Sequence, residues 1–377
     1  MQSVLYHKAE SQFERLQEKG ECAVIPLSGC LTMPHKHEMR GRQGIQQQSR
    51  QEQLQAALKT FQHALARAEA SNNYTAQVES LKLIGLIHCK LGQYAWGIKC
   101  LEQGLRYAKA IKNRANIGII LNYLGAAYYQ TGQDRKALWV YSQALTIFTD
   151  ANDAISVARI LNRIGQICNS MGQPERALMC CRQALKMYQD MGNAPNGEST
   201  ALQSIGEAHL QLGRPRAAIA FFEQALVISR KMGNRSAEAT TLEDIGTAYV
   251  MLNPPLRALE SYQQALEIRR QIDDKSGEAR NLNYIGAVYY KLGKYSRALC
   301  YHLQALGILK TVNHTAGSER LLHNLVIVYE SLGLSDLGIK CYEQALEIVK
   351  NFGTHPCEEA IMQYCGEEGD MELNGVE

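Results

Sequence analysis

Glycine recurs along this chain with a fixed period, and that period restricts the fold more than any other feature. Gly85, Gly125, Gly165, Gly206, Gly246 and Gly286 are 40, 40, 41, 40 and 40 residues apart. A second series, Gly92, Gly132, Gly172, Gly213 and Gly293, follows seven residues after members of the first, and Gly333 continues it. A pair of small residues then repeats: Ala137/Ala144, Ala177/Ala184, Ala218/Ala225, Ala258/Ala265 and Ala298/Ala305. Such a period belongs to stacked units, each too small to bury its apolar face alone. The single extra residue, between Ala184 and Gly206, is expected in a loop near Pro195, where insertion is tolerated.

Each unit reads as two helices. Leu lies four residues before the first glycine (Leu81, Leu121, Leu161, Leu202, Leu242, Leu282), and Ile or Leu lies one before it (Ile84, Leu124, Ile164, Ile205, Ile245, Ile285). Leu322 and Leu325 extend both series into the last unit. Three-then-four spacing is a helix stripe. The second glycine ends that helix at a left-handed position, with Asn253 substituting in the fifth unit. Pro174, Pro215 and Pro255 can each open the next helix without losing a hydrogen bond. The first glycine is mid-helix, which costs about 1 kcal/mol relative to Ala. Close approach of the second helix is the expected compensation, with its Ala residues leaving room. Val326 breaks the glycine series in the last unit, and Gly97, Gly104 and Gly338 replace Ala in the end units, as terminal repeats commonly deviate.

Composition excludes several classes. The 377 residues include 40 Lys+Arg and 37 Asp+Glu, a net charge of +3. That balance argues against a dominant nucleic-acid or membrane-surface field. No apolar run approaches the roughly 18 residues a spanning helix needs, and Met1–Lys8 lacks the character of an export signal. The 11 Cys form no C-x-x-C pair, so reduced thiols in a cytoplasmic protein are expected. Cys22, Cys30, His35 and His37 match no standard zinc spacing. No nucleophile elbow, zinc-protease motif or phosphate loop is present. We therefore expect no catalytic residues, no metal site and no cofactor. His88 and His209 stand where other units carry Tyr128 or Tyr249, and read as packing or hydrogen-bonding groups. Asn73, Asn234 and Asn313 begin N-x-S/T triplets but read as helix-start residues.

Leu-x-x-Ile/Leu-Gly, Tyr three residues on (Tyr128, Tyr249, Tyr289), the turn glycine and a second helix with Tyr141, Phe222, Tyr262 and Tyr342 between its Ala residues resemble the tetratricopeptide repeat. The usual Trp is Leu here, and the period of 40 rather than about 34 is similar to that of kinesin light chain and Leu-Gly-Asn adaptor repeats. The resemblance implies an all-α, right-handed α-solenoid of stacked antiparallel helix pairs. It divides the chain into an irregular or degenerate leader (1–50), an array of a half-unit plus seven repeats (51–352), and a C-terminal cap with an acidic disordered tail (353–377). The Gln-rich stretch 44–53 is expected to open the first helix.

The resemblance also implies that first helices line a concave groove. Three residues before the first glycine every unit is polar: Lys82, Asn122, Asn162, Gln203, Glu243, Asn283 and His323. Beside them stand Tyr123, Arg163, Tyr284 and Asn324, and one turn earlier Arg159, Arg280 and Arg320. Asn, Tyr and Arg suit contacts to peptide amides and carboxylates. The other reading of the same series is a hydrated hydrogen-bond ladder between repeats. The leading functional expectation is a non-enzymatic scaffold binding an extended peptide or tail of a protein partner. A peptide-sensing regulatory or signalling receptor and a helical-repeat RNA-binding protein are the alternatives. No nucleic-acid or membrane partner is expected, and the chain's own acidic tail is a candidate groove ligand.

Overall fold

The computed structural model describes residues 34–311 and 318–333. Among these residues there are fourteen α-helices and no strand. They fall into two compact units divided between Leu252 and Asn253.

The first unit begins with α1 (Pro34–Ala70). Three repeats follow as α2 (Tyr74–Lys90) with α3 (Tyr94–Ala110), α4 (Arg114–Gln130) with α5 (Asp134–Asp150), and α6 (Ala154–Ser170) with α7 (Pro174–Met191). Then come α8 (Pro195–Gln211) with α9 (Pro215–Lys231), and α10 (Arg235–Leu252). The second unit holds α11 (Pro255–Gln271), α12 (Lys275–Lys291) with α13 (Tyr295–Thr311), and α14 (Ser318–Ser331). Within each unit every helix packs on its predecessor. First helices of successive repeats also touch directly: α2 with α4, α6 with α8, α8 with α10, and α12 with α14. The Gln-rich stretch lies inside α1, which starts earlier than the sequence led us to expect.

Local signals act where the sequence places them. Gly92, Gly132, Gly172, Gly213, Gly293 and Gly333 all have φ between 66° and 75°, and Asn253 takes 66° in the same role. Pro174, Pro215 and Pro255 are the first residues of α7, α9 and α11. Asn73 and Asn234 cap α2 and α10 by accepting from the backbone N–H of Ala76 and Ala237. Asn313 lies outside the described residues, as do residues 1–33 of the expected leader 1–50 and the segments expected to form the second helix of the last repeat and the acidic tail.

The mid-helix glycines do receive the second helix closely, and the space is taken by a larger side chain, with the backbone of a small residue beside it at Gly85 and Gly165. A Cβ on Gly125 would lie 2.6 Å from the Tyr141 ring, and one on Gly206 would lie 2.4 Å from the Phe222 ring. Leu101 meets Gly85, Cys181 meets Gly165 and His302 meets Gly286 in the same way. In each pair the inserted side chain comes from the residue sixteen positions on. It is buried, and in sequence it lies between the two small residues of its helix. Fully burying such a side chain contributes about 1.5–3 kcal/mol, more than the glycine loses in helix propensity. In the first unit one cluster runs without a break from Val78 through Leu101, Leu121 and Tyr141 to Ile167, so the core is continuous across repeats.

Cys89, Cys100, Cys168, Cys180 and Cys181 are free thiols, whereas Cys300 is disulfide-bonded, which corrects the expectation of reduced thiols throughout. Burial holds the Cys181 thiol up at about 12, so it serves as a small apolar filler.

Candidate peptide-binding surface

Lys82, Asn122, Tyr123, Arg159, Asn162, Arg163, Gln203 and Glu243 lie on first helices of the first unit. Arg280, Asn283, Tyr284, Arg320, His323 and Asn324 lie on α12 and α14 of the second. Contacts between first helices bring α2 near α4, α6 near α8 and α8 near α10 in the first unit, and α12 near α14 in the second.

Part of the series is an inter-repeat ladder. Lys82 Nζ donates to Asn116 Oδ1 at 2.9 Å on the next first helix and pairs with Glu79 at 2.6 Å. Asn116 Nδ2 in turn donates to Glu79 Oε1 at 2.9 Å, closing a three-residue network. These contacts, with burial opposing them, leave the Glu79 carboxyl below its ordinary range. Gln203 Nε2 donates to Thr241 Oγ1 at 2.6 Å, and Asn324 Nδ2 donates to Asn283 Oδ1 at 2.9 Å. Asn169, not singled out from the sequence, donates to the Ser204 carbonyl at 2.8 Å and accepts from Gln211 through its own carbonyl. Asn162, Glu243 and Asn283 are buried, while Tyr123 and Tyr284 are half-buried and Arg159, Arg163, Arg280, Arg320 and His323 are exposed. Tyr284 stacks obliquely on Tyr262 with centroids 5.1 Å apart. The fixed polar position thus joins repeats at several levels, and the exposed guanidiniums stand around it.

At the third repeat the series opens into a cleft of about 330 Å³. Arg159, Asn162 and Arg163 of α6 form one wall, Tyr188 of α7 the floor, and the turn Asn193–Ala194 with Pro195, Asn196, Gly197 and Thr200 of α8 the other. The extra residue of the 41-residue spacing falls in this turn. From the left-handed residue to the next first helix is three positions after Gly192, but two after Asn152 or Gly233. That spacing was the one signal in the sequence that pointed to the turn. Tyr188, Asn193 and Thr200 carried no other mark, because they are not repeat positions. Tyr188 packs on Gly197, whose Cβ would fall 2.4 Å from the ring. Burial raises the Tyr188 phenol, while Arg159 and Arg163, which line the same cleft, act in the opposite sense.

His88 hydrogen-bonds Gln93 at 2.7 Å, and His209 is buried and stacked on Phe221 with centroids 5.3 Å apart. Burial, then Arg182 and Arg214, lower its affinity for a proton. Neither ring faces a partner acid or nucleophile in these contacts, and both act in packing. Among the described residues no group of three or more His, Cys, Asp or Glu is arranged to hold a metal ion. The side chains of Cys22, Cys30, His35 and His37 lie outside those described. No described helix is long and apolar enough to cross a membrane.

Stacked helix pairs with a turn glycine, a cradle glycine and a paired small-residue helix define a helical-repeat interaction fold. The tetratricopeptide repeat model matches residues 74–150, 156–231, 237–311 and 319–351. The chain belongs to the tetratricopeptide repeat family. No curated protein matches it. Among solved structures, the apo form of RapI is similar with a TM-score of 0.60 at 16% identity, over 73% of this chain and 98% of that one. The Pyrococcus horikoshii signal-transduction ATPase with a tetratricopeptide repeat sensor matches at 0.59 and 16%, over 81% of this chain and 45% of that one. The Rap conjugation regulator of plasmid pLS20, solved with the Phr* peptide, matches at 0.53 and 17%, over 76% and 80%. At these identities the likeness is one of fold.

Proposed function

We propose that this protein is a non-enzymatic scaffold that binds an extended peptide or flexible tail of a partner along its first helices. The observation that supports it is the direct contact of first helices, α2 with α4, α6 with α8, α8 with α10 and α12 with α14, together with the exposure of Arg159, Arg163, Arg280 and Arg320 on such helices. Amides at a repeated position suit the repeated feature of a peptide, its backbone, and the changing neighbours Tyr123, Arg163 and Tyr284 would read side chains. The arginines favour acidic ligands, and the tail segment 367–373 (E-E-G-D-M-E-L) is one such sequence in this chain. The pLS20 regulator, of the same fold, holds a peptide. That protein and the archaeal sensor also favour a second form of this reading, in which peptide binding is sensed and passed on to regulation. We place the protein in the cytoplasm, as the five free thiols suit; the Cys300 disulfide is the feature that argues otherwise.

Isothermal titration of the full chain with acidic peptides, including 366–377, tests the reading. Binding should weaken by about 1–3 kcal/mol when Asn122 and Asn162 are both replaced by Ala, with the helical signal kept. Unchanged affinity in that variant would refute the groove. Deleting 366–377 should strengthen binding of the other peptides if the tail competes.

A further inference from the structure

The cleft at the third repeat has a chemistry that the rest of the face lacks. Its α8 wall is a helix N-terminus without a side-chain cap. Asn73, Asn113, Asp153, Asn234 and Asp274 cap the equivalent first helices by accepting from a backbone N–H, but Ala194 stands at this place in α8. Pro195 has no N–H to offer, and among the described residues the N–H groups of Asn196 and Gly197 meet no acceptor. Such a terminus presents partial positive charge and unused donors.

The opposite wall adds full charges. Arg159 is exposed and hydrogen-bonds no acid, and Arg163 donates to the neutral Gln166 Oε1 at 3.0 Å. Arg159 acts on the Asp153 carboxylate, which is already engaged in capping α6 through Ser156. No acidic residue lines the cleft. Between the walls lies Asn162, only 5% exposed, with an amide that makes no hydrogen bond and an Oδ1 covered from solvent. The buried Oδ1 is an acceptor and is turned away from solvent, so what Asn162 offers an occupant is its Nδ2, which makes no hydrogen bond and is not covered in the same way.

We propose that this cleft is an anion subsite that takes a phosphomonoester, presented by a phosphorylated serine or threonine of the peptide bound along the first helices. Two guanidiniums, two backbone N–H groups and one amide offer more donors, from opposite sides, than a carboxylate's two oxygens can use. A phosphate ester brings three acceptor oxygens and close to two negative charges at neutral pH. Its position at the one irregular turn confines phosphate recognition to a single register of the ligand.

The proposal rests on the peptide reading above, and the test separates the two. The full chain is titrated with a degenerate peptide library fixed at its centre as phosphoserine, as serine or as glutamate, and separately with sodium phosphate. The phosphoserine library should bind about tenfold more tightly than the serine and glutamate libraries. That preference should vanish in Arg159→Gln/Arg163→Gln, whose exposed side chains are dispensable for folding. Ala194→Asp supplies the missing cap from within, so it should raise the melting temperature yet weaken phosphoserine binding several-fold. A purely structural role for this turn would not move the two readings in opposite directions. Equal binding of the three libraries removes the subsite and leaves the groove standing. Saturable phosphate binding lost in the arginine double variant, with no library bound, keeps the anion site and removes the peptide reading. Phosphoserine binding unchanged in both variants overturns the proposal.

Discussion

His302 invites a substitution that should stabilise the protein and alter its pH response together. Its ring fills the cradle over Gly286, where a Cβ would lie 2.7 Å from the ring edge, and its side chain is fully buried. Neither ring nitrogen has a hydrogen-bond partner. Burial alone pushes the imidazole down to about 4 from its ordinary 6.5. The equivalent cradles at Gly125 and Gly206 hold Tyr141 and Phe222, so an apolar ring fits this geometry. His302→Phe should keep the packing and remove two unsatisfied buried nitrogens, a gain of about 1–3 kcal/mol near pH 8. The pH dependence has a definite sign. Between about pH 6.5 and pH 4 the unfolded chain binds a proton that the folded chain refuses, so this residue makes stability fall on acidification. The loss through that window is about 3 kcal/mol, at about 1.4 kcal/mol per tenfold change in proton affinity. Urea unfolding of both proteins at pH 8 and at pH 4.5, followed by far-ultraviolet circular dichroism, measures both quantities. The stabilities should differ by more at pH 4.5 than at pH 8. A variant less stable than the parent at pH 8, or a difference that does not grow with acid, would refute the assignment of His302 as a neutral, unpartnered ring.

Three further outcomes follow from the packing. Gly165→Ala places a Cβ against Cys181 Sγ and should destabilise by about 1–3 kcal/mol despite the better helix residue. Cys181→Ala in the same chain should recover much of that loss, so a double-mutant cycle should show coupling above about 0.5 kcal/mol, and additivity would count against the cradle. Gly172→Asn, at φ 66° with no atom within 4 Å of the new Cβ, should shift the thermal midpoint far less than Gly165→Leu. Asn283→Ala should cost about 1 kcal/mol by stranding the Asn324 amide, whereas Asn162→Ala, which breaks no hydrogen bond, should leave urea stability nearly unchanged.

The repeat was legible in the sequence because each of its signals is local. A left-handed turn favours glycine or asparagine through local sterics, as at Gly92, Gly213 and Asn253, although Lys112 and Asp273 also take it. A proline opens a helix through its own fixed φ, and an Asn or Asp cap reaches only three residues on. Apolar spacing then fixes which face of each helix is buried. These constraints determined the helix pairs, their boundaries and the family, and they marked the one turn with an extra residue. What fills each cradle glycine was not legible, because Leu101, Tyr141, Cys181, Phe222 and His302 share a place in space and no common chemistry. Nor was the fate of the polar series. Lys82, Gln203 and Asn283 occupy the same repeat position as Asn162, yet three are tied to a neighbouring helix and one is left unpaired in a cleft. That difference depends on Asn116, Thr241 and Asn324 across the helix boundary, and on an uncapped helix start at Ala194. Which polar groups remain available to a ligand was decided by the tertiary structure, since a hydrogen bond needs two partners and the sequence period specifies the position of only one.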